Sequence, residues 1–266
     1  MGAARPVRAN KCVGAPFLRQ FQLIVFGRIL CEGVRMPTLI IATRNAHKVA
    51  EIRAILSAQY HYLTLREFPE APEVIEDAET FAGNAAKKAV ELARWLAAGC
   101  NAEQFKAAAS PVFVLADDSG LEVDALQGAP GVHSARFAAL DTGQSGNAPD
   151  ADNNAKLLRL LQKIPAAQRT ARFRCVLALT PVLEFAAQNA SPACAADEGE
   201  LQTELFDGVC EGRIGFAPSG GGGFGYDPLF IPEGHEQTFA ELGEATKNQL
   251  SHRAKALEKL RRHLSA

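Results

Sequence analysis

A short apolar run that ends in two adjacent carboxylates constrains this chain more than any other feature. Residues 111–115 (Pro-Val-Phe-Val-Leu) form the run, and Ala116-Asp117-Asp118-Ser119-Gly120 follows directly. The run predicts a buried strand, and open α/β sheets bind ligands where such strands end. Successive side chains on an extended or turning backbone point apart, so one carboxylate can face a metal ion or water while the other holds the turn. An ordinary Asp-Asp-Ser-Gly surface turn has the same composition, and the segment alone does not decide between the two.

Composition narrows the class of protein. The chain has 266 residues, of which 47% are hydrophobic, and this is enough to bury a sizeable core. A formal net charge of -2 gives no bulk attraction to a nucleic acid or a membrane surface, so we expect neither as a partner. No apolar run approaches the length of a membrane span. The six cysteines are scattered without metal-ligand spacing, which predicts reduced thiols and a cytoplasmic location.

The first 35 residues differ from the rest. They carry six basic residues and a single acid, Glu32, and their apolar stretch is too short and too soon interrupted for a convincing signal peptide. A clean strand pattern starts only after Met36. We therefore expect residues 1–35 to be a dispensable extension or a start-site artefact rather than a targeting arm, and residues 36–266 to be the functional domain.

From Met36 onward, strand-like and helix-like segments alternate, which predicts an α/β fold. Strands are predicted at residues 38–42, 61–65, 111–115, 121–126, 172–179 and 201–210. Helices are predicted after Asn45, from Thr80 to Ala98, over residues 153–162, and as one C-terminal helix through Lys247 to Leu264. The Ala/Ser/Pro/Asn-rich segment 186–199 is interpreted as an enlarged hairpin loop.

Two loops near the first helices have the composition of phosphate and metal sites. In the first, Thr43-Arg44-Asn45-Ala46-His47-Lys48 joins a strand to a helix N-terminus, an arrangement that binds phosphate through backbone N–H groups. It is also what an ordinary capped helix with an exposed lysine looks like. The second loop carries the acids Glu70, Glu73, Glu76, Asp77 and Glu79. One of them could share a Mg²⁺ ion with Asp118, although acids before a helix also suit its dipole.

Further chemistry lies towards the C-terminus. A glycine run precedes Phe224-Gly225-Tyr226-Asp227, and glycine lets backbone N–H groups approach an anion while aromatic rings can stack on a base. A flexible loop with core aromatics is the alternative. Lys247, His252 and Arg253 on the C-terminal helix suggest a nucleotide clamp or merely solvated helix charges. His133 and Arg136 are expected near the same end of the sheet.

Four motifs together resemble those of the inosine triphosphatase family, the pyrophosphatases that remove dITP, ITP and XTP from the nucleotide pool. They are Thr43 to Lys48, Ala116 to Gly120, Gly223-Phe224-Gly225-Tyr226-Asp227, and Ser251-His252-Arg253, and the similarity runs from about Met36 to Leu264. The resemblance implies an elongated α/β fold with a mixed, strongly twisted sheet and two lobes around a central nucleotide cleft. It also implies a homodimer.

The resemblance also implies roles for individual residues. Asp118 matches the catalytic carboxylate, Glu76 the metal-binding acid, and Mg²⁺ the cofactor, with Asp118 also touching the metal. Arg44 replaces a glycine of the family's phosphate loop, and Gly83 replaces a glutamate. The implied substrate-binding residues are Thr43, Arg44, Asn45, Ala46, His47, Lys48, Ser119, Phe224, Gly225, Tyr226, Asp227, Lys247, His252 and Arg253.

The implied reaction is the attack of water on the α-phosphorus, which yields the monophosphate and pyrophosphate. Asp118 would act as the general base, Lys48 and Lys247 would offset phosphate charge, and Phe224 would stack on the purine. His252 and Arg253 would donate hydrogen bonds to the 6-oxo group, which adenine replaces with an amino donor.

Three alternatives fit parts of the pattern. A Maf-type nucleotide pyrophosphatase shares the chemistry but not the Ser-His-Arg and Phe-Gly-Tyr-Asp motifs. An aspartyl-phosphate phosphatase would use Asp118 as a nucleophile, but the expected Asp-x-Asp spacing is absent. A non-catalytic nucleotide-binding module would have no need of Asp118, Glu76 and both lysines.

Overall fold

A mixed six-stranded sheet organises the computed structural model, which describes residues 36–98, 110–143, 145–182 and 202–265. The strand order is β2-β1-β3-β4-β5-β6. The strands are β1 (Thr38–Ile41), β2 (His61–Thr64), β3 (Val112–Val123), β4 (Thr170–Pro181), β5 (Glu204–Ile214) and β6 (Phe230–Pro232). The helices are α1 (Ala46–Leu56), α2 (Phe81–Ala98), α3 (Asp150–Leu160), α4 (Phe239–Leu250) and α5 (His252–Leu264). The predicted α/β class with a mixed sheet is confirmed.

Strand direction changes across the sheet. The first strand, β1, lies parallel to both β2 and β3, whereas the pairs β3/β4, β4/β5 and β5/β6 are antiparallel. The hairpin of β4 and β5 starts from the pair Leu179 and Glu204, as expected for strands joined by a long loop. The connector predicted at residues 186–199 lies outside the described residues.

The Asp-Asp segment lies within a strand and is not a surface turn, so the strand predicted to end at residue 115 continues through it. Strand β3 runs unbroken for 12 residues, and Asp117 and Asp118 pair with Leu177 and Val176 of β4. Of the segment predicted as a separate strand at 121–126, residues 121–123 are the end of this same strand and Asp124–Leu126 form a 3-10 turn. The long neighbour β4 supplies hydrogen bonds along its full length, so the polar residues stay extended despite their turn composition.

Parallel partner β1 ends early, and this opens one edge of β3. Ile41 of β1 pairs with Leu115, after which β3 continues with β4 as its only sheet neighbour among the described strands. Residues 116–119 therefore lie beyond the carboxyl end of β1, where an open α/β sheet forms a ligand crevice.

Helices cover both faces of the sheet. On one face, α2 packs its apolar stripe, including Ala85, Ala89 and Leu92, against alternate residues of β1 and β3. On the other face, α1 and α5 pack Ile52 and Leu257 among others. A third core gathers the far end of β3 with α3, β6 and α4 around Phe173, Phe230 and Phe239. The sheet thus carries two cores at one end and a third at the other.

The predicted single C-terminal helix is two helices. The helical conformation is interrupted at Ser251, whose backbone is extended. Ser251 is the N-cap of α5, and its hydroxyl accepts a hydrogen bond from the Ala254 N–H. Serine is a favoured N-cap because its oxygen satisfies an otherwise unpaired backbone donor. The break places His252 and Arg253 in the first turn of α5, where both are buried rather than solvated.

None of the helices in the described ranges is long and apolar enough to cross a membrane. One helix and one strand have bounds that differ from the prediction: α3 spans Asp150–Leu160 where residues 153–162 were expected, and β5 spans Glu204–Ile214 where 201–210 were expected.

Candidate active site

A cleft of about 400 Å³ opens where β1 ends and β3 continues. Of the site residues predicted from the sequence, all except Ala46 and His47 line it. Elements distant in sequence contribute: the loop after β1, the acidic loop before α2, the middle of β3, the loop after β5, and the ends of α4 and α5. The structure therefore brings the four sequence motifs together in one place.

The pleat of β3 separates the two adjacent carboxylates. Asp117 follows Leu115 on the face covered by α1 and α5, whereas Asp118 follows Ala116 on the face covered by α2. Each carboxylate consequently meets a different set of cations, and the two have different chemistry.

Asp117 is a buried acceptor shared by cations from two helices. It accepts hydrogen bonds from Lys48 Nζ at 2.5 Å, from Arg253 Nε at 2.8 Å and from Ser119 Oγ at 3.0 Å. The buried Cys175 thiol donates to it from below at 3.3 Å. Burial opposes ionisation, but Arg253 and Lys48 outweigh it and hold the pKa of Asp117 well below 3.8. Asp117 is therefore a fixed negative charge.

Asp118 has a less neutralised carboxylate. Its Oδ1 lies 3.4 Å from Lys88 Nζ, and its Oδ2 is buried without a hydrogen-bond partner among the described residues. Burial raises its pKa above 3.8, and the nearby Lys88 and Lys48 offset only part of that effect. A buried acceptor oxygen without a partner is costly, so its presence at the cleft floor points to a bound water, metal or substrate.

Glu76, the acid predicted to bind the metal, forms an ion pair with Lys88, which also pairs with Asp118. Its Oε1 is 3.3 Å from Lys88 Nζ, so Lys88 stands between Glu76 and Asp118. Lys88 also donates to the Asp117 backbone carbonyl at 2.8 Å, on the edge of β3 that β1 leaves open. No cluster of three or more histidine, cysteine, aspartate or glutamate side chains suited to a metal occurs in the described ranges.

The acidic loop is held from both sides. Buried Asn84 of α2 exchanges two hydrogen bonds with the Ala78 backbone, and Arg136 donates to the Glu76 carbonyl at 3.2 Å. Gly83 packs closely against this loop, since a Cβ there would lie 2.8 Å from the Ala78 Cβ. A glutamate at position 83 could not enter without a shift of the loop, so its replacement by glycine is consistent with the local packing.

Side chains of the predicted phosphate loop hydrogen bond to backbone N–H groups of the same loop. The Asn45 side chain accepts from the N–H groups of His47 and Lys48, and the Asn45 N–H donates to Thr43 Oγ1. The prediction of Asn45 as the N-cap of the first helix is thereby confirmed. Arg44 donates to the Ala71 carbonyl at 3.4 Å.

The aromatic part of the site is centred on Phe224. Its ring stacks on the His47 ring with centroids 5.1 Å apart, and Lys247 Nζ lies 4.4 Å from its centroid. Tyr226, in contrast, is buried in the third core and donates through its hydroxyl to the Ser134 carbonyl. Of the two, only Phe224 presents a partly exposed ring.

The buried cations at the inner end of the cleft are all paired. Lys247 Nζ lies 2.5 Å from Asp227 Oδ2 and 2.8 Å from Glu51 Oε1, and Arg253 Nη1 donates to Glu51 Oε2. Burial strongly lowers the pKa of His252, and the neighbouring Arg253 and Lys247 charges add to the effect, so His252 is neutral. Its Nδ1 is buried without a hydrogen-bond partner among the described residues.

Three of these residues were not singled out as site residues from the sequence: Glu51, Lys88 and Asp117. Glu51 and Lys88 lie on helices, where a charged residue is normally interpreted as part of the solvent-exposed face. Helical spacing was the available signal, because Glu51 follows Lys48 by three positions on one face of α1 and Lys88 follows Asn84 by four on α2. Asp117 was recognised only as the partner of Asp118.

The family can be decided from the match along the chain. Residues 39–263 match the sequence profile of the Ham1 family. This chain belongs to the Ham1 family. The resemblance seen in the four motifs is thereby confirmed, and the match leaves residues 1–35 outside it.

Curated relatives of this Ham1 protein carry a consistent name. The dITP/XTP pyrophosphatase of Shouchella clausii is 43% identical over 226 residues, which cover 85% of this chain and 96% of the relative. The dITP/XTP pyrophosphatase of Desulforamulus reducens is 45% identical over 222 residues, which cover 83% of this chain and 92% of the relative.

Solved structures agree on the fold. A Ham1 protein from Coxiella burnetii superposes with a TM-score of 0.66 at 34% identity, covering 86% of this chain and 99% of the other. The Staphylococcus aureus Ham1 protein gives a TM-score of 0.63 at 31% identity, covering 86% and 98%.

Proposed function

We propose that this Ham1 protein hydrolyses non-standard purine nucleoside triphosphates, dITP, ITP and XTP, to the monophosphate and pyrophosphate, and so cleanses the nucleotide pool. The observation that carries the proposal is the buried, unpartnered Oδ2 of Asp118 at the floor of a cleft lined by cations. The names of the relatives that match most of the chain support the same substrate class.

Asp118 is the proposed general base. It accepts a proton from the water that attacks the α-phosphorus, and the phosphoanhydride bond to the β-phosphate breaks to release pyrophosphate. Burial raises the pKa of Asp118 above 3.8, which makes its carboxylate a stronger base than that of an ordinary aspartate. Lys88, beside Asp118, is placed to offset charge on the reacting phosphate.

The charge balance of the cleft identifies which other cations are free for phosphate. Lys48, Lys247 and Arg253 are already bound to carboxylates. Arg44 and Arg136 line the same cleft and, within the described ranges, hydrogen bond only to backbone carbonyls. Their charges are therefore available to the polyphosphate, whereas Lys48 and Lys247 would have to exchange a carboxylate partner to bind it.

We propose that Phe224 stacks on the purine and that His252 and Arg253 read the 6-oxo group. A site built on hydrogen bonds can discriminate by a factor of about 10⁴ against an analogue that leaves one of its buried donors unpaired. Neutral His252 and the buried guanidinium of Arg253 lie at the inner end of the cleft, beside Phe224. The remaining predicted substrate contacts are Thr43, Asn45, Ala46, His47, Ser119, Gly225, Tyr226 and Asp227.

We propose Mg²⁺ as the cofactor, held by Asp118 and Glu76. The two carboxylates converge on one lysine, and one Asp118 oxygen has no hydrogen-bond partner in the described part of the chain, so the donor set suits an ion that takes few protein carboxylates. When bound, Mg²⁺ would offset negative charge on the phosphates.

We also propose the bounds of the functional domain, its location in the cell and its oligomeric state. The functional domain spans residues 36–266, with residues 1–35 as a dispensable extension or start-site artefact. The enzyme acts in the cytoplasm, which suits the two buried free thiols Cys175 and Cys210. It is a homodimer, without nucleic-acid or membrane partners.

Product analysis tests the function most directly. Purified protein with ITP and Mg²⁺ should release pyrophosphate and IMP in equal amounts, without inorganic phosphate. Release of inorganic phosphate would instead support an aspartyl-phosphate phosphatase, and preference for pyrimidine nucleotides in a substrate panel would support a Maf-type enzyme. Binding of ITP without turnover would contradict the enzymatic proposal.

A further inference from the structure

The first turns of α3 hold Gly225, in the loop proposed to bind the nucleotide, by both its backbone N–H and its backbone carbonyl. The Gly225 N–H donates to Asp150 Oδ2 at 2.6 Å, and Asn154 Nδ2 donates to the Gly225 carbonyl at 3.0 Å. These pairs join segments 75 and 71 residues apart in sequence. The contact is therefore tertiary, and it fixes where this loop lies relative to α3.

Gly225 adjoins the residue that would stack on the base. It follows Phe224 directly and has a φ of 63°, a conformation that glycine adopts without strain. The Phe224 N–H is in turn held by Asp227 Oδ2 at 2.9 Å. The Phe224 carbonyl accepts from the Asp227 N–H at 3.2 Å, so every polar group of the 224–225 backbone is bound and the Cα from which the Phe224 side chain extends is held in place.

The two α3 side chains differ in their surroundings. Asn154 is buried, whereas Asp150 is exposed and lines the cleft. Asp150 can therefore be substituted without opening a core. Its carboxylate–N–H bond is charge-assisted, which makes it the stronger of the two contacts.

We propose that Asp150 and Asn154 are positioning residues for base recognition, because they hold the Phe224–Gly225 segment in the orientation that the purine needs. This inference rests on the proposed function and deepens it. It assigns α3 to the base end of the substrate and not to the phosphates or the chemical step.

A helix-dipole role for Asp150 would be purely structural, and the chain provides a matched control for it. Asp152 lies in the same first turn of α3 and is also an exposed aspartate, but its side chain has no hydrogen-bond partner among the residues that the structure describes. Asp150→Ala and Asp152→Ala remove the same charge from the same helix end. Only Asp150→Ala removes the contact to Gly225.

Steady-state kinetics give the first test. In Asp150→Ala, the KM for ITP should rise by about tenfold, the factor for a lost hydrogen bond to a charged group, with kcat within about twofold. Inhibition by tripolyphosphate, a ligand without a base, should keep its inhibition constant. Asp150→Asn retains an acceptor oxygen and should restore most of the affinity, and Asp152→Ala should match the wild type.

A double-mutant cycle tests whether the effect passes through Phe224. In a Phe224→Ala background, Asp150→Ala should cause little further rise in KM, because the group it positions is gone. Additive effects would overturn the inference, as would equal behaviour of Asp150→Ala and Asp152→Ala. If Asp150→Ala raised the inhibition constant of tripolyphosphate as much as the KM for ITP, Asp150 would instead act on the binding of the phosphates.

Hydrogen exchange gives a readout that does not depend on turnover. The amides of Phe224 and Gly225 should exchange faster in Asp150→Ala and Asn154→Ala than in Asp152→Ala or the wild type. Unchanged exchange would contradict the inference even in an active enzyme. Absence of pyrophosphate release by the wild type would contradict only the proposed function, so the two failures are distinguishable.

Discussion

The Asp117 carboxylate and the Arg253 guanidinium are joined by hydrogen bonds of 2.8 and 3.4 Å while each side chain is only 1% exposed. Asp117 lies in the middle of β3 and Arg253 in the first turn of α5, 136 residues away. The pair therefore ties the central strand to the helix that carries the residues proposed to read the base, His252 and Arg253. We therefore expect the contact to affect both the stability of the fold and the proposed recognition of the base.

Loss of Asp117 should destabilise the fold. Asp117→Ala leaves Arg253 buried with one fewer counter-charge, and breaking such a pair typically costs about 3–5 kcal/mol. Urea denaturation measures the change, with the exposed Asp207–Lys259 pair as control, where Asp207→Ala should cost at most about 1 kcal/mol. Equal effects of the two variants would contradict the assignment.

The same contact predicts a pH dependence of stability. Because the folded pKa of Asp117 lies well below 3.8, its stabilisation is present above pH 3.8 and is lost as the pH falls towards the folded value. The difference in unfolding free energy between the wild type and Asp117→Ala should therefore shrink below about pH 4. A difference that stays constant down to pH 2 would rule out this origin.

Asp118→Asn should abolish most turnover without unfolding the protein. The amide keeps the shape of the side chain but cannot accept the proton, and loss of a general base costs about 10²–10⁴ in rate. Pyrophosphate release from ITP measures turnover, and circular dichroism checks the fold. Turnover near that of the wild type would remove Asp118 from this role.

The activity should also fall on acidification at a pH set by Asp118. The group must be ionised to act, and burial raises its pKa above 3.8, so the acid limb of kcat/KM should lie above that value. The fraction folded, measured over the same range, separates this limb from acid unfolding. An acid limb below 3.8 would contradict the raised pKa.

Arg253→Ala should narrow the discrimination between ITP and ATP. If Arg253 reads the 6-oxo group, kcat/KM should fall much more for ITP than for ATP. Lys255→Ala, on the exposed side of the same helix, is the matched control. A parallel loss on both substrates would place Arg253 in the fold alone, through Asp117 and Glu51. Its effect and that of His252→Ala are expected to be non-additive, since both donors share one acceptor.

A chain that starts at Met36 should fold and keep its activity. The Ham1 match begins at residue 39, and the Coxiella burnetii structure aligns over 99% of its own length while covering 86% of this chain. Thermal denaturation and ITP hydrolysis of the shortened protein, beside the full chain, test this. A large loss of either would show that residues 1–35 belong to the domain.

Local patterns along the sequence predicted the fold class and most of the helices and strands, but not the break at Ser251 or the continuation of β3 through the Asp-Asp segment. Alternation of apolar strands with amphipathic segments predicted the α/β class, and Asn45 as an N-cap followed from local hydrogen bonding. The resemblance carried by the four motifs named many of the residues that line the cleft and only two, Ala46 and His47, that do not, but it did not name Lys88. The strand pattern and the helix cap depend on contacts within a few residues, which a sequence contains directly.

Only the tertiary structure decided the roles that depend on neighbours distant in the chain. The Asp-Asp segment has turn composition, yet pairing with β4 keeps it extended and sends Asp117 and Asp118 to opposite faces. Their pKa values then move in opposite directions, because Asp117 meets Arg253 and Lys48 while Asp118 is buried with less compensation. Electrostatic environment is set by distance in space, and that is why a sequence can name the two carboxylates but not tell the fixed charge from the base.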